Sequence, residues 1–571
     1  MQEAINHIAA ACAAADVRYA IICPGSRNAP LTMAFARHPG IKCQSVIDER
    51  SAGFIALGMA QRCSLPIVVI CTSGSAVVNL YPAVVEAYYQ RLQLIVITAD
   101  RPPEMIDQWD GQTMHQHEVF GKHVKASYTL PDRYDNPEEF SATVFEAVKL
   151  SLTGNRGPVH INVPLREPLY TAINDTFEYP QLAQLTSDFY FGNKGEASDI
   201  SELKNAINQY QKILVVIGTQ KHTEMGLLIA YQKVKDKIPF VCDVLSNQLN
   251  SSRALYHSDM LLSIPNPQLK AQLQPEVLLT FGTSVVSKNL KQFLRQYKPK
   301  KHFHISRFGE TADPFDTSPI QIIGSDRDVF EQLDFSHLTT DYNNLWQKHD
   351  DQIASFTEEF LSQPTFHELA VADRILKHLP DKSQLQLANS MAVRWVNILG
   401  GNKYSNIAIC GNRGVSGIDG CTSTAVGMAY MDDEAMNHWG VVLGANTVTL
   451  LTGDVAFFYD SNALWNKFAP ANLRIIILNN GGGAIFRLID GPGQMPEREE
   501  FLETRHQRTA KLLCEDMKVG YAQASNFEEL ERELELLYQA SDRPKVLEVF
   551  TDAETNTKFF NEYKQLIHGL E

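Results

Sequence analysis

No apolar run in this chain of 571 residues reaches the roughly 18 residues that a membrane-spanning helix requires. The opening stretch, MQEAINHIAAACAAADVRYA, has no basic segment followed by an apolar core and cleavage site, so the cytoplasm is the expected location and no membrane insertion is expected. Cysteine is sparse: nine are scattered singly, among them Cys12, Cys23, Cys71 and Cys410, without the close pairs of a zinc site or a disulfide framework. Reduced packing residues are expected. Positive charge is in deficit, with 51 Lys and Arg against 66 Asp and Glu and a formal net charge of −15, which argues against nucleic acid or an anionic membrane as partner. An anionic substrate would have to be met by cations gathered locally.

What is present describes an ordinary globular protein, 44% hydrophobic and 20% charged. The length suits roughly three or four domains. Helical stretches alternate with short apolar runs: YAIIC, QSVID, PIVVICTSG, LQLIVITAD and PVHINVP first; then KILVVIGT, IPFVCDV, PEVLLTFGTS and KHFHIS; then QLQLANS, NIAICGNRG, NTVTLLTGD, RIIILNN and PKVLEVF. Such alternation predicts α/β architecture, three consecutive doubly wound parallel-sheet domains. Polar, poorly patterned stretches after PLREPLY and around TTDYNNLWQKHDDQ place the domains at 1–178, 185–345 and 362–571. The middle domain carries no GxGxxG after KILVVIGT, so no flavin is expected there and a structural role is.

The stretch from Gly453 to Asn480, GDVAFFYDSNALWNKFAPANLRIIILNN, reads as strand end, helix, strand. A right-handed crossover makes the two strands parallel, with both carboxyl ends on one sheet edge, where open parallel sheets bind ligands. Asp454 and Asn480 are expected to converge there, offering a carboxylate and an amide oxygen to a small hard cation whose shell a phosphate completes.

That interval resembles the magnesium diphosphate motif of thiamine diphosphate enzymes, GDG and farther along NN, with Val455 in place of the second glycine. The resemblance implies thiamine diphosphate as cofactor and Asp454, the Asn480 side chain and the Gly482 carbonyl as ligands to Mg2+ or Mn2+. It implies that Glu49, in QSVIDERSAGFIALGMAQ, is the catalytic acid hydrogen-bonded to the aminopyrimidine ring. Ser73, in TSGSAVVNLYPAVVEA, falls in the pyrimidine-side turn. Pro24, Gly25, Ser416, Ile418 and Ile485 are implied as further cofactor contacts, Ile418 supporting the bent cofactor.

Together CPGSRNAPLT, TADRPPE and GNRGVSGIDGCTSTAVG are similar to the MenD family of that superfamily, and the resemblance spans essentially all three domains. It implies decarboxylation of 2-oxoglutarate and Stetter-like 1,4-addition of the succinyl unit to isochorismate, a carboligase step of menaquinone biosynthesis, in a homodimer or homotetramer. The implied substrate contacts are Ser26, Arg27, Arg101, Gln112, Lys288, Ser390, Arg394 and Arg413, with Phe486 and Ile489 walling the pocket. Asn289, where a second basic residue is expected, and Gly111, where asparagine is expected, depart from the family pattern. The alternative expectation is another thiamine diphosphate-dependent 2-oxo acid decarboxylase or carboligase of the acetolactate synthase type.

Overall fold

Apolar runs bounded by turn residues become the central strands of three sheets. The computed structural model describes every residue except 171–175, 186–197, 221–224, 248–252, 310–311, 402–406, 432–446, 489–490 and 571. The first sheet holds β1 (Tyr19–Ile22), β2 (Lys42–Ser45), β3 (Ile67–Cys71), β4 (Leu94–Asp100), β5 (Ser127–Thr129) and β6 (Val159–Pro164). The second holds β7 (Ile213–Ile217), β8 (Phe240–Cys242), β9 (Val277–Phe281), β10 (Lys301–Ser306) and β11 (Ile320–Ile323). The third holds β12 (Gln384–Leu387), β13 (Ala408–Gly411), β14 (Val448–Gly453), β15 (Leu473–Asn479), β16 (Gly520–Ala524) and β17 (Lys545–Phe550). Strands pair in parallel, with Ile22 beside Ile70 in the first sheet and Leu387 beside Leu451 in the third. β3, β4, β6, β7 and β9 are buried at every position, as strands covered on both faces must be.

Ranked by chain order, the first and third sheets run 2-1-3-4-6-5 and the middle one 2-1-3-4-5. In each, the chain reverses direction between its first and third strands, which opens a crevice at their carboxyl ends. In the middle sheet the two loops at that place are laced together, Thr219 N donating to Ser284 O (2.8 Å) and Thr283 N to Thr219 O (3.0 Å).

Three strands, β5, β11 and β16, carry no apolar run that predicts them. All three lie at a sheet edge, and their residues, SYT, IQII and GYAQA, are mostly half-exposed. β2 is also an edge strand and sits at KCQS, earlier than QSVID suggests. The helix expected through FFYDSNALWNKFA ends at Tyr459 and gives way to a 3-10 turn at Ser461–Leu464. Asp460 turns inward there, its carboxylate accepting Ser423 N (2.7 Å) and Oγ (2.8 Å), and burial pushes its pKa up to about 7 against those donors.

The chain divides into two compact units. One comprises Met1–Asn193, Asn412–Asn446 and Ala456–Leu473; the other comprises Lys194–Gly411, Thr447–Val455 and Arg474–Glu571. Inside the first unit, helix Glu49–Cys63 crosses helix Cys421–Met431 with backbone against backbone. A Cβ on Gly58 would lie 2.0 Å from Thr424 O, and one on Gly427 would lie 2.0 Å from Ile55 O. Gly58→Val therefore lowers stability by at least about 1–3 kcal/mol in thermal unfolding. Gly111→Ala, with nothing within 4 Å of the added methyl, stays within about 0.5 kcal/mol of the unsubstituted chain.

Candidate functional site

In the first unit the loops leaving β1, β3 and β4 form one crevice. Pro24, Gly25 and Ser26 are exposed at its lip, whereas Arg27 is buried and donates Nη1 to Leu165 O at 2.9 Å. Asn28 Nδ2 closes the turn on Cys23 O (2.8 Å). Arg101 donates to Ser73 Oγ (3.1 Å) and to the Gly111 carbonyl (2.8 Å), which brings the exposed Gln112 to the same place. Burial, then repulsion from Arg101, draws the Arg27 pKa below its ordinary value. Two guanidiniums this close, in an acidic protein, suit an anionic guest.

A buried polar chain holds these loops. Gly74 N donates to Gln116 Oε1 (2.8 Å), Gln116 Nε2 to Asn162 Oδ1 (2.9 Å), and Asn162 Nδ2 to Asp100 Oδ2 (2.8 Å). The Asp100 carboxylate also accepts Arg101 N (2.8 Å), and burial raises its pKa.

Glu49 opens its helix but does not cap it. Asp48 is the N-cap, accepting Ser51 N at 3.1 Å, so the Glu49 carboxylate is not engaged in that duty. Glu49 is half-buried, and desolvation raises its pKa, opposed by its own backbone N–H and assisted by Asp48. Its charge helps push up the buried thiols of Cys23 and Cys71, which places it beside the ends of β1 and β3. The loop carrying Arg413, Ser416 and Ile418, all half-buried, is pinned by Glu86, which is 1% exposed and accepts Gly414 N (2.6 Å) and Val415 N (2.7 Å).

In the second unit β14 and β15 are neighbours, and Asp454 and Gly482 meet at their ends. Asp454 is 2% exposed; its Oδ2 accepts Gly482 N at 2.9 Å and its Oδ1 accepts Val455 N at 2.7 Å. His506 Nε2 lies 3.4 Å from Asp454 Oδ2. Gly482 has φ +152° and an added Cβ would meet Glu503 O at 2.6 Å, so only glycine fits. Asn480 donates Nδ2 to Glu368 Oε1 at 2.6 Å, while its Oδ1 is buried with no hydrogen-bond partner. An orphaned amide oxygen near a buried carboxylate and a backbone carbonyl is the donor set of a hard divalent cation that keeps phosphate oxygens in its shell. The residues therefore fit a metal diphosphate. Ile485 and Phe486 are half-buried in the 3-10 turn Ala484–Arg487, and Ile489 lies outside the described residues.

Ser390 and Arg394 lie close to Asp259 of the same unit, whereas Lys288 is exposed and reaches that place only through its chain neighbours Ser287 and Asn289. The half-buried Asp259 accepts Ser287 Oγ and Asn289 N (3.3 Å), at the start of the helix that Lys288 opens, and Arg394 acts on its charge. Arg394 Nη1 donates to Ser390 O (2.5 Å). The Asn289 side chain donates to Asp259 O (3.0 Å) and so ties the helix start down. Gln112 (φ +60°), Ser390 (φ +70°) and Ser416 (φ +64°) all adopt positive φ without being glycine. Such backbone strain collects at ligand sites.

The predicted residues that the structure describes thus fall into four groups, two in each unit. Glu86, Glu368, Asp259, Gln116 and His506 position them, and no sequence pattern marks these five.

Residues 2–124 match the thiamine pyrophosphate enzyme N-terminal TPP binding domain, and residues 193–387 match the middle domain of thiamine pyrophosphate enzymes. Three parallel sheets flanked by helices, together with these two domain matches, define a thiamine pyrophosphate enzyme. The chain is 39% identical over 555 residues to the 2-succinyl-5-enolpyruvyl-6-hydroxy-3-cyclohexene-1-carboxylate synthase of Cytophaga hutchinsonii, covering 96% of each chain. It is 36% identical to that of Flavobacterium johnsoniae (97% and 96% covered) and 35% identical to that of Phocaeicola vulgatus (97% and 96% covered). The chain belongs to the 2-succinyl-5-enolpyruvyl-6-hydroxy-3-cyclohexene-1-carboxylate synthase family.

Because folding raises the Glu49 pKa, the ionised form is the one the fold disfavours. That destabilisation is absent below the unfolded carboxylate range, about pH 4, and grows as pH rises through the folded pKa. Glu49→Gln therefore raises the melting temperature at pH 8, and the gain shrinks toward zero near pH 4. An equal difference at both pH values would contradict the assignment.

Proposed function

We propose that this chain decarboxylates 2-oxoglutarate and transfers the succinyl unit to isochorismate by 1,4-addition, the carboligase step of menaquinone biosynthesis. The observation that carries the cofactor site is the Asp454–Gly482 contact beside the unpartnered Asn480 Oδ1. Asp454, Asn480 and the Gly482 carbonyl would hold Mg2+ or Mn2+, and the metal the diphosphate. Bound thiamine diphosphate supplies a nucleophilic carbon and an electron sink.

The chain's own residues do the rest. Glu49, half-buried with a pKa raised by desolvation, would exchange a proton with the aminopyrimidine ring. Both substrates are dicarboxylates, which planar guanidiniums grip in charge and orientation. Arg27 and Arg101 with Ser26 and Gln112, Lys288 with Ser390 and Arg394, and Arg413 are the proposed contacts. Ile485, Phe486 and Ile489 exclude water from the reacting carbon, and Ile418 supports the cofactor. Glu49 lies in one unit and Asp454 in the other. The active species is a homodimer or a homotetramer, in which Glu49 of one subunit serves the cofactor held by the partner subunit's Asp454. No described helix is long and apolar enough to cross a membrane, and the cytoplasm is the proposed location.

Incubation with 2-oxoglutarate, isochorismate, thiamine diphosphate and Mg2+ yields the succinyl adduct by mass spectrometry; turnover of pyruvate in preference to both substrates would overturn the reading. Glu49→Gln lowers kcat by about 10²–10⁴-fold while metal-dependent cofactor binding persists. Arg394→Ala instead raises KM for a dicarboxylate about tenfold or more, the loss of one hydrogen bond to a charged group.

A further inference from the structure

Glu368 opens helix Glu368–His378 and is 2% exposed. Its backbone N donates to Asn556 Oδ1 (2.9 Å), which fixes the start of the helix. Its carboxylate gathers three donors: Asn480 Nδ2 (2.6 Å) and Thr551 Oγ1 (3.3 Å) on Oε1, and Trp395 Nε1 (2.7 Å) on Oε2. Trp395 is itself buried and stands edge-on to Phe560, with ring centroids 5.0 Å apart, so its N–H is held in place.

An asparagine amide has nearly the same shape in its two flipped orientations. What faces each end decides between them. A carboxylate only accepts, so the end of Asn480 that faces Glu368 has to be the NH2. The oxygen is then turned to the opposite end, where it is buried without a partner. Without this constraint the NH2 could face the cation, and a ligand oxygen would be lost.

We propose that Glu368 is a positioning residue for the divalent metal: it locks the Asn480 amide with its oxygen presented to the ion and adds a negative charge behind that ligand. The inference rests on reading Asp454, Asn480 and Gly482 as the metal site. Groups behind metal ligands in other proteins change metal affinity by about 10–100-fold when removed.

The test titrates Mn2+ into the full chain with thiamine diphosphate present, following loss of the free-ion EPR signal, with thermal unfolding measured alongside. Glu368→Gln keeps the shape but introduces an NH2, which must face either the Trp395 N–H or the Asn480 NH2. It is expected to weaken Mn2+ binding about 10–100-fold. Adding Asn480→Asp to it reverses the polarity of the contact: the new amide at 368 accepts from Trp395 and donates to the new carboxylate at 480. Those two hydrogen bonds and the total charge are restored, so this double variant must fold and recover most of the lost affinity. Mn2+ binding by Glu368→Gln equal to that of the unsubstituted chain would overturn the inference, as would a double variant that folds but binds no better than Glu368→Gln. If the unsubstituted chain takes up no Mn2+ with thiamine diphosphate, the metal-site reading itself falls, which separates the two failures.

Discussion

The hydrogen bond from Gly482 N to Asp454 Oδ2 ties together the ends of two neighbouring strands, and the chemistry of the carboxy-terminal sheet depends on it. It closes only because β14 and β15 deliver their carboxyl ends to one edge and because residue 482 has no side chain to strike Glu503 O. With the backbone drawn in, Asp454 keeps lone pairs for the proposed cation, and the Asn480 side chain is carried to the same loop. Chain direction, one glycine and one carboxylate together create the site.

Buried acids are the recurrent device for fixing loops in this acidic protein. Glu86 holds the Arg413 to Ser416 loop through two backbone N–H groups, and the half-buried Asp259 likewise holds the start of the Lys288 helix. Asp243 accepts Val286 N at 2.7 Å one turn earlier, and Glu503 pairs with Arg487 at 2.9 Å behind the glycine loop. A buried carboxylate is costly unless it is satisfied, and each of these has at least one strong donor. Satisfying them requires the loops to take one conformation. The candidate site residues inherit that rigidity, among them Gln112, Ser390 and Ser416 at positive φ.

The central strands were legible because burial on both faces leaves an unbroken apolar run, as in IVVIC and LIVITAD. The edge strands SYT, IQII and GYAQA were not, since backbone pairing with one neighbour places little demand on side-chain polarity. Candidate residues directly after strand ends, such as Arg101, Asp454 and Asn480, could be picked out by position. Their supports could not. Glu86 meets Gly414 across 328 positions and Glu368 meets Asn480 across 112, distances over which no local pattern operates. Asp48 rather than Glu49 as the cap was also open, because two adjacent acids at a helix start look alike in sequence.

The first and third sheets share one strand order, yet equivalent strand ends carry different chemistry. After the third-ranked strand stands Ser73 in one and Asp454 in the other; after the fourth-ranked, Arg101 in one and Asn480 in the other. The scaffold therefore does not dictate which polar group it displays, and that choice is written by single residues at matched stations. Such a chassis invites grafting: transplanting a strand-end loop between corresponding stations alters what is bound while leaving the sheet beneath untouched.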